Sequence, residues 1–132
     1  VGIGAGYVQG DGDLTVPRVS TTVSLAESCF VTSEVSTYDE VGRGPQYRAL
    51  EKQAYITRTW GDAYGYLLVA TGRAEVMVDP EMNLWDAAAI LPVMVESGGT
   101  FTDWNGNPTI HGGEGIGPIA AVLQEVLTTI KA

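Results

Sequence analysis

The chain has 132 residues, of which 45% are hydrophobic and 17% are charged. This length supports one compact core, and no apolar run approaches the roughly 20 residues that a membrane-spanning helix needs. Sixteen acidic residues against seven basic ones give a formal net charge of −9, which argues against nucleic acid and anionic membranes as partners.

Cysteine usage and the first residues bear on the compartment and the extent of the chain. Cys29 is the single cysteine, so it has no partner for an internal disulfide, and we expect a reducing, cytoplasmic location. The chain opens with Val1-Gly2-Ile3-Gly4, without an initiator Met or a signal-like segment. We therefore expect it to start within a longer protein.

The first elements in chain order are two β-prone runs, residues 1–8 and 14–19. Between them lies the turn signal Gly10-Asp11-Gly12-Asp13, which predicts a β-hairpin. A buried strand follows at residues 29–32, where Cys29 is interpreted as a small core residue. The polar segment 33–44 is expected to be a surface loop.

Helices and strands then alternate. Pro45 suits the first turn of a helix, a strand is predicted at 55–59, and a loop leads into an apolar helix that stops at Gly72. A strand at 74–78 precedes a helix at 84–97, which Pro92 should kink. Further strands are expected at 100–103 and near 116–120, and an amphipathic helix at 122–130 ends the pattern.

This order predicts an α/β fold, with an N-terminal hairpin followed by a mainly parallel mixed sheet flanked by helices. We divide the chain into residues 1–28, a hairpin and connection, and residues 29–132, an α/β domain. Ligands of such sheets bind beyond the carboxyl ends of the strands. The loops that begin at Gly61 and at Asp79 both fall there.

Two acidic residues stand out at the second of these loops. Asp79 ends a strand, and Asp86 falls in the first turn of the next helix. A helix N-terminus attracts phosphate, and a nearby carboxylate can hold a divalent cation against that phosphate. From the residues alone, Asp86 could equally be a helix-stabilising acid, and Asp62 could equally cap the helix that follows it.

Three motifs carry a resemblance to a known family. The run Trp85-Asp86-Ala87-Ala88 is followed by Gly98-Gly99 and then by Thr102-Asp103-Trp104-Asn105-Gly106. In this spacing the chain resembles the inositol monophosphatase family of Mg²⁺-dependent phosphatases. Residues 61–66, 70–75 and the pair Asp79-Pro80 are most similar to the branch that acts on histidinol phosphate. The resemblance spans nearly the whole chain but corresponds to only the C-terminal half of such an enzyme.

The resemblance implies roles for individual residues. Asp86 would be a ligand of Mg²⁺, Asp79 would contact the substrate alcohol, and Gly61, Asp62 and Ala63 would line the substrate site. The opening hairpin would belong to a large antiparallel sheet whose other strands are outside this sequence. The family's metal-binding Asp-Pro-Ile/Leu-Asp-Gly-Thr motif and its upstream Glu are absent, and no catalytic residue is identified in this half.

Several functional hypotheses follow. The leading one is the C-terminal portion of a Mg²⁺-dependent phosphomonoesterase for a small phosphorylated alcohol, histidinol phosphate. The alternatives are an inositol-1-phosphate phosphatase of the same family and a non-catalytic binding or assembly domain. Because a hairpin without its sheet leaves unpaired edges, we expect a homo-oligomer or pairing with the missing N-terminal half. Pro118 departs from the family pattern before the last helix and puts the local loop geometry in question.

Overall fold

The computed structural model of the chain describes residues 5–132, and within this range it contains four strands and five α-helices. The strands are β1 (Cys29–Thr32), β2 (Ile56–Thr59), β3 (Val76–Asp79) and β4 (Gly115–Pro118). The helices are α1 (Val35–Glu40), α2 (Gly44–Gln53), α3 (Ala63–Ala70), α4 (Leu84–Glu96) and α5 (Leu123–Lys131). None of the helices described in this range is long and apolar enough to cross a bilayer.

The strands form one mixed sheet in the order β2-β1-β3-β4. β1 pairs in parallel with both β2 and β3, whereas β4 runs antiparallel to β3. In the last pair of the β3–β4 ladder, Asp79 faces Gly115. The prediction of a mainly parallel mixed sheet flanked by helices is confirmed.

The core lies at the two central strands and the helices that cover them. Every residue of β3 is buried, as are Phe30 and Val31 of β1. Strands that are covered on both faces need continuous apolar runs, which is why these segments were recognisable in the sequence. Helix α3 packs against α4 and β3, and α5 packs against α2.

The N-terminal hairpin is present in reduced form. Tyr7 and Thr15 exchange two backbone hydrogen bonds, both 2.8 Å long, across an isolated antiparallel bridge. Gly10 turns the chain between them with a φ of +60°, a conformation that glycine adopts without strain. Residues 1–4 of the predicted first strand lie outside the described residues.

Two local predictions were wrong. Part of the segment 33–44, expected to be a loop, forms helix α1, because Tyr38 is buried and its hydroxyl donates to the Val78 carbonyl at 2.9 Å. The predicted strand at 100–103 is instead a pair of isolated bridges, Gly99 to Ile119 and Thr102 to Ile116. In the first case tertiary burial outweighs the polar local composition.

Candidate active site

A cavity of about 560 Å³ opens at the carboxyl ends of β1 and β3. Its walls come from the β1–α1 connection, the start of α3, and the segment that joins β3 to the first turns of α4. The polar lining is dominated by carboxylates, and no Lys, Arg or His is found among the lining residues that the structure describes. The acidic lining residues are Glu34, Asp62, Asp79, Glu81 and Asp86.

Asp79 is the most buried of these acids. It ends β3, its side chain reaches the cavity, and the residue is only 4% exposed. The Ser33 hydroxyl, one residue beyond β1, donates to Asp79 Oδ1 at 2.5 Å. Burial raises the pKa of the Asp79 carboxyl above its usual range, while the hydroxyls of Ser33 and Tyr66 oppose the rise and the nearby Asp62 adds to it.

The backbone carbonyl of Asp79 is held by Trp104, which in turn contacts an ion pair. The Trp104 indole N–H donates to the Asp79 carbonyl at 3.3 Å. The Arg43 guanidinium lies 4.2 Å from the centre of the Trp104 ring and forms a 3.1 Å ion pair with Glu114. These contacts join the residue before α2 and the loop before β4 to the strand end that carries the acid.

Asp86 lies in the first turn of α4 and its carboxylate is exposed to the cavity. The helix begins at Leu84, where the Asn83 carbonyl accepts hydrogen bonds from the N–H groups of Asp86 and Ala87, both at 3.1 Å. Asn83 makes no side-chain cap. The structure therefore brings Asp86 and Asp79 to one cavity, as the sequence predicted for the two ends of this loop.

The loop before α3 contributes Asp62 and Ala63 to the lining, whereas Gly61 is exposed beside it. Asp62 occupies the N-cap position of α3 but makes no side-chain capping hydrogen bond. It is the single non-glycine residue with a positive φ in the described range, at φ 53° and ψ −134°. The capping interpretation is thus wrong, and a strained backbone turns this acid toward the cavity.

The cavity lining meets the requirements of a divalent cation only in part. Carboxylate oxygens suit Mg²⁺ in kind. In number they fall short, because no group of three His, Cys, Asp or Glu residues between 5 and 132 is arranged to hold a metal ion. The described part of the chain can therefore supply only part of a cation site.

Sequence reasoning missed two residues of the cavity lining, Ser33 and Glu34, and one buried residue behind Asp79, Tyr66. Ser33 and Glu34 follow β1 directly, so the rule that places ligands at strand ends could have found them within the predicted surface loop 33–44. Tyr66 looked like one more apolar residue of α3. Its position beneath Asp79 depends on strand pairing, which local sequence does not encode.

Comparison with known proteins gives consistent relatives. The profile of the inositol monophosphatase family matches residues 4–130. The histidinol-phosphatase of Streptomyces coelicolor is 34% identical over 110 residues, which cover 83% of this chain and 41% of that protein. The histidinol-phosphatase of Chlorobaculum parvum is 49% identical over 67 residues, 51% of this chain and 26% of that protein. The chain thus spans less than half the length of these curated relatives.

Solved structures agree in fold. An inositol monophosphatase from Zymomonas mobilis superposes with a TM-score of 0.82 at 21% identity, covering 89% of this chain and 47% of that one. An inositol monophosphatase of Thermotoga maritima gives a TM-score of 0.78 at 25% identity over 96% of this chain and 50% of the other. In both, the match occupies about half of the larger protein.

Proposed function

The chain belongs to the inositol monophosphatase family, and we propose that it is the C-terminal portion of a Mg²⁺-dependent phosphomonoesterase whose substrate is histidinol phosphate. The observation that carries the proposal is the single cavity onto which Asp79, Asp86 and Asp62 open at the carboxyl ends of the parallel strands. In α/β sheets this edge is where ligands bind.

Each proposed site residue has a distinct task. Asp86, exposed at a helix start, would hold Mg²⁺, which when bound polarises a phosphate and stabilises the leaving alkoxide. Asp79 would accept a hydrogen bond from the alcohol part of the substrate, and its burial fixes its direction. Gly61, Asp62 and Ala63 would line the substrate site. The remaining metal ligands would come from the N-terminal half that the relatives possess.

The charge of the cavity supports histidinol phosphate over inositol phosphate. Histidinol phosphate carries an ammonium group beside its phosphate ester, whereas the inositol ring carries only hydroxyls. Five carboxylates line the cavity, and such a surface attracts a cation and repels an uncompensated phosphate. Two histidinol-phosphatases among the relatives support this choice.

The domain assignment and the assembly belong to the same proposal. Residues 1–28 would join a larger antiparallel sheet, and residues 29–132 would form the α/β domain. Strand β2 ends the sheet order, so one of its edges has no partner strand among the described residues. Pairing with the N-terminal half or with a second copy would cover this strand edge. The reducing, cytoplasmic location expected from Cys29 is part of the same proposal.

The test is phosphate release from histidinol phosphate and from inositol 1-phosphate with Mg²⁺, by the chain alone and by the chain mixed with the N-terminal half of the Chlorobaculum parvum relative. We expect turnover of histidinol phosphate in the mixture, and its loss in Asp86→Ala. Intact mass of the assayed chain guards against a contaminating full-length phosphatase. A mixture that forms a complex yet hydrolyses neither ester would favour a non-catalytic binding domain.

A further inference from the structure

The hydroxyl of Tyr66 is a buried polar group without a hydrogen-bond partner among residues 5–132. Tyr66 lies in the middle of α3, whose other residues are Ala, Gly, Leu, Val and a second Tyr, and it is 1% exposed. Leaving a buried hydroxyl unsatisfied costs about 1–3 kcal/mol. Phenylalanine would fill the same space without this cost, so the hydroxyl calls for an explanation.

The position of this hydroxyl follows from two glycines of β4. A Cβ atom added to Gly115 would lie 2.8 Å from the Tyr66 hydroxyl, and one added to Gly117 would lie 2.6 Å from its ring. The Tyr66 ring therefore packs against β4 at Gly115 and Gly117, which have no side chains. Gly115 is the cross-strand partner of Asp79, and side chains of paired residues project from the same face. The hydroxyl thus reaches the end of β3 on the face that carries the Asp79 side chain.

The charges around this point agree with the geometry. Burial and the Asp79 carboxylate raise the pKa of Tyr66, with smaller contributions from Tyr38 and Asp86. Tyr66 is consequently a neutral donor at physiological pH. Of the Asp79 oxygens, Oδ1 accepts from Ser33. The described contacts therefore leave the carboxylate able to accept a second hydrogen bond.

We propose that Tyr66 is a positioning residue for Asp79. Its hydroxyl and that of Ser33 are the two donors that hold the buried carboxylate, one from the helix beneath the sheet and one from the neighbouring strand end. A small rotation of the Tyr66 hydroxyl or of the carboxylate completes the second hydrogen bond. So held, Asp79 presents its remaining lone pairs to the cavity, where the alcohol part of the substrate would lie. This inference rests on the proposed function of Asp79.

The kinetic test compares Tyr66→Phe with Tyr47→Phe, which removes a hydroxyl from a buried ring outside the cavity lining. In the complemented enzyme, Tyr66→Phe should raise KM for histidinol phosphate about 5- to 20-fold, less than the full loss of a hydrogen bond to a charged group because the Asp79 carboxylate itself remains, with kcat changed less than about twofold. Hydrolysis of p-nitrophenyl phosphate, whose aryl part offers no hydrogen-bond donor to Asp79, should stay the same. Equal losses on both substrates would overturn the positioning role.

A second measurement decides the question without any activity. Urea unfolding of the wild-type chain, Tyr66→Phe, Asp79→Ala and the double variant forms a double-mutant cycle. If the two groups interact, the unfolding constant of the double variant should differ by about fivefold or more from the product of the single effects. Additive effects, in which Tyr66→Phe changes stability equally in the wild-type chain and in Asp79→Ala, would overturn the proposal. A cycle with coupling but no phosphatase activity would retain the Tyr66–Asp79 contact and reject the proposed function.

Discussion

The hydroxyl of Ser33 donates a 2.5 Å hydrogen bond to Oδ1 of Asp79 and thereby joins the ends of β1 and β3. These strands are parallel neighbours, paired through Thr32 and Val78. Because the bond lies one residue beyond the pairing, the direction of the carboxylate depends on the register of the two strands. An acid that is set by two rigid strands holds its direction better than one carried by a loop.

Asp79→Asn should stabilise the chain near neutral pH by on the order of 1 kcal/mol, because it removes a buried charge that a functional site keeps at a cost in stability. Burial raises the pKa of the Asp79 carboxyl above the ordinary 3.8. Because its folded-state pKa is raised, the Asp79 carboxyl favours folding at a pH below its unfolded-state pKa. This contribution is lost as the pH rises through the folded-state pKa. Urea unfolding as a function of pH should show the advantage of Asn above about pH 4 and not below it. An advantage that grows toward acid would contradict this.

Asp103→Asn should have the opposite sign. Burial of Asp103 raises its pKa, but hydrogen bonds from the Asn107 side chain and from the backbone N–H groups of Asn107 and Asn105 outweigh burial and lower it overall. This carboxylate stabilises the fold above the unfolded-state pKa, and the contribution is lost as the pH falls through the lower, folded-state value. The substitution should cost about 1–3 kcal/mol near neutral pH, and the same pH series should show the cost shrinking in acid.

Arg43→Met should destabilise the chain by about 1–2 kcal/mol, because it removes both the Glu114 ion pair and the stacking on Trp104. The Arg43 and Glu114 side chains are 34% and 17% exposed. The matched control is Arg48→Met. The Arg48 and Asp39 side chains are 60% and 67% exposed, so their ion pair should contribute less than about 0.5 kcal/mol. Thermal unfolding of both variants at low and high salt checks this, and equal losses would refute the distinction.

Residues with a strong local signal were predictable. The buried strands β1 and β3 are short apolar runs, and α4 begins shortly after an Asp-Pro step with an acid in its first turn. Because ligands of α/β sheets bind at the carboxyl ends of the strands, Asp79 and Asp86 could be placed at one edge of the sheet from the sequence. Apolar periodicity and helix-start chemistry are properties of a few neighbouring residues, so sequence alone reveals them.

What remained hidden depends on distant residues. Helix α1 is fixed by Tyr38, whose hydroxyl reaches the Val78 carbonyl forty residues along the chain. Likewise, the space for the Tyr66 ring exists only because β4 pairs antiparallel with β3 and places the glycine Gly115 beside Asp79. Strand order and register determine the positions of both Tyr38 and Tyr66. These features cannot be inferred from a single sequence without covarying relatives.

Gly117→Ala should destabilise the chain by about 1–3 kcal/mol, the usual cost of overpacking a core. Its added Cβ would lie 2.6 Å from the Tyr66 ring, which is confined between α3 and β4. Gly61→Ala is the matched control, because no atom lies within 4 Å of its added Cβ and its φ is ordinary for an L-residue. Urea unfolding should leave Gly61→Ala within about 0.5 kcal/mol of wild type. A comparable loss in both variants would contradict the crowding of Gly117 against the Tyr66 ring, because the entropy term of a Gly→Ala change favours folding at both positions.

Asp62→Gly should raise stability while weakening substrate binding. Asp62 has a φ of 53° with a ψ of −134° and makes no capping hydrogen bond. Its backbone strain, about 1–3 kcal/mol, is therefore not offset by a capping interaction. Glycine adopts this conformation freely but costs more chain entropy on folding, which leaves a net gain of up to about 1 kcal/mol.

Asp62→Ala separates backbone strain from side-chain chemistry, because alanine keeps the unfavourable φ and removes only the carboxylate. We expect Asp62→Gly to exceed Asp62→Ala in stability by about 1–2 kcal/mol in urea unfolding. In the complemented enzyme, both should show a similar rise in KM for histidinol phosphate, because both lose an acid that lines the cavity. If Asp62→Gly proved less stable than Asp62→Ala, the strain would not exist; if KM were unchanged in both, Asp62 would have no contact with the substrate.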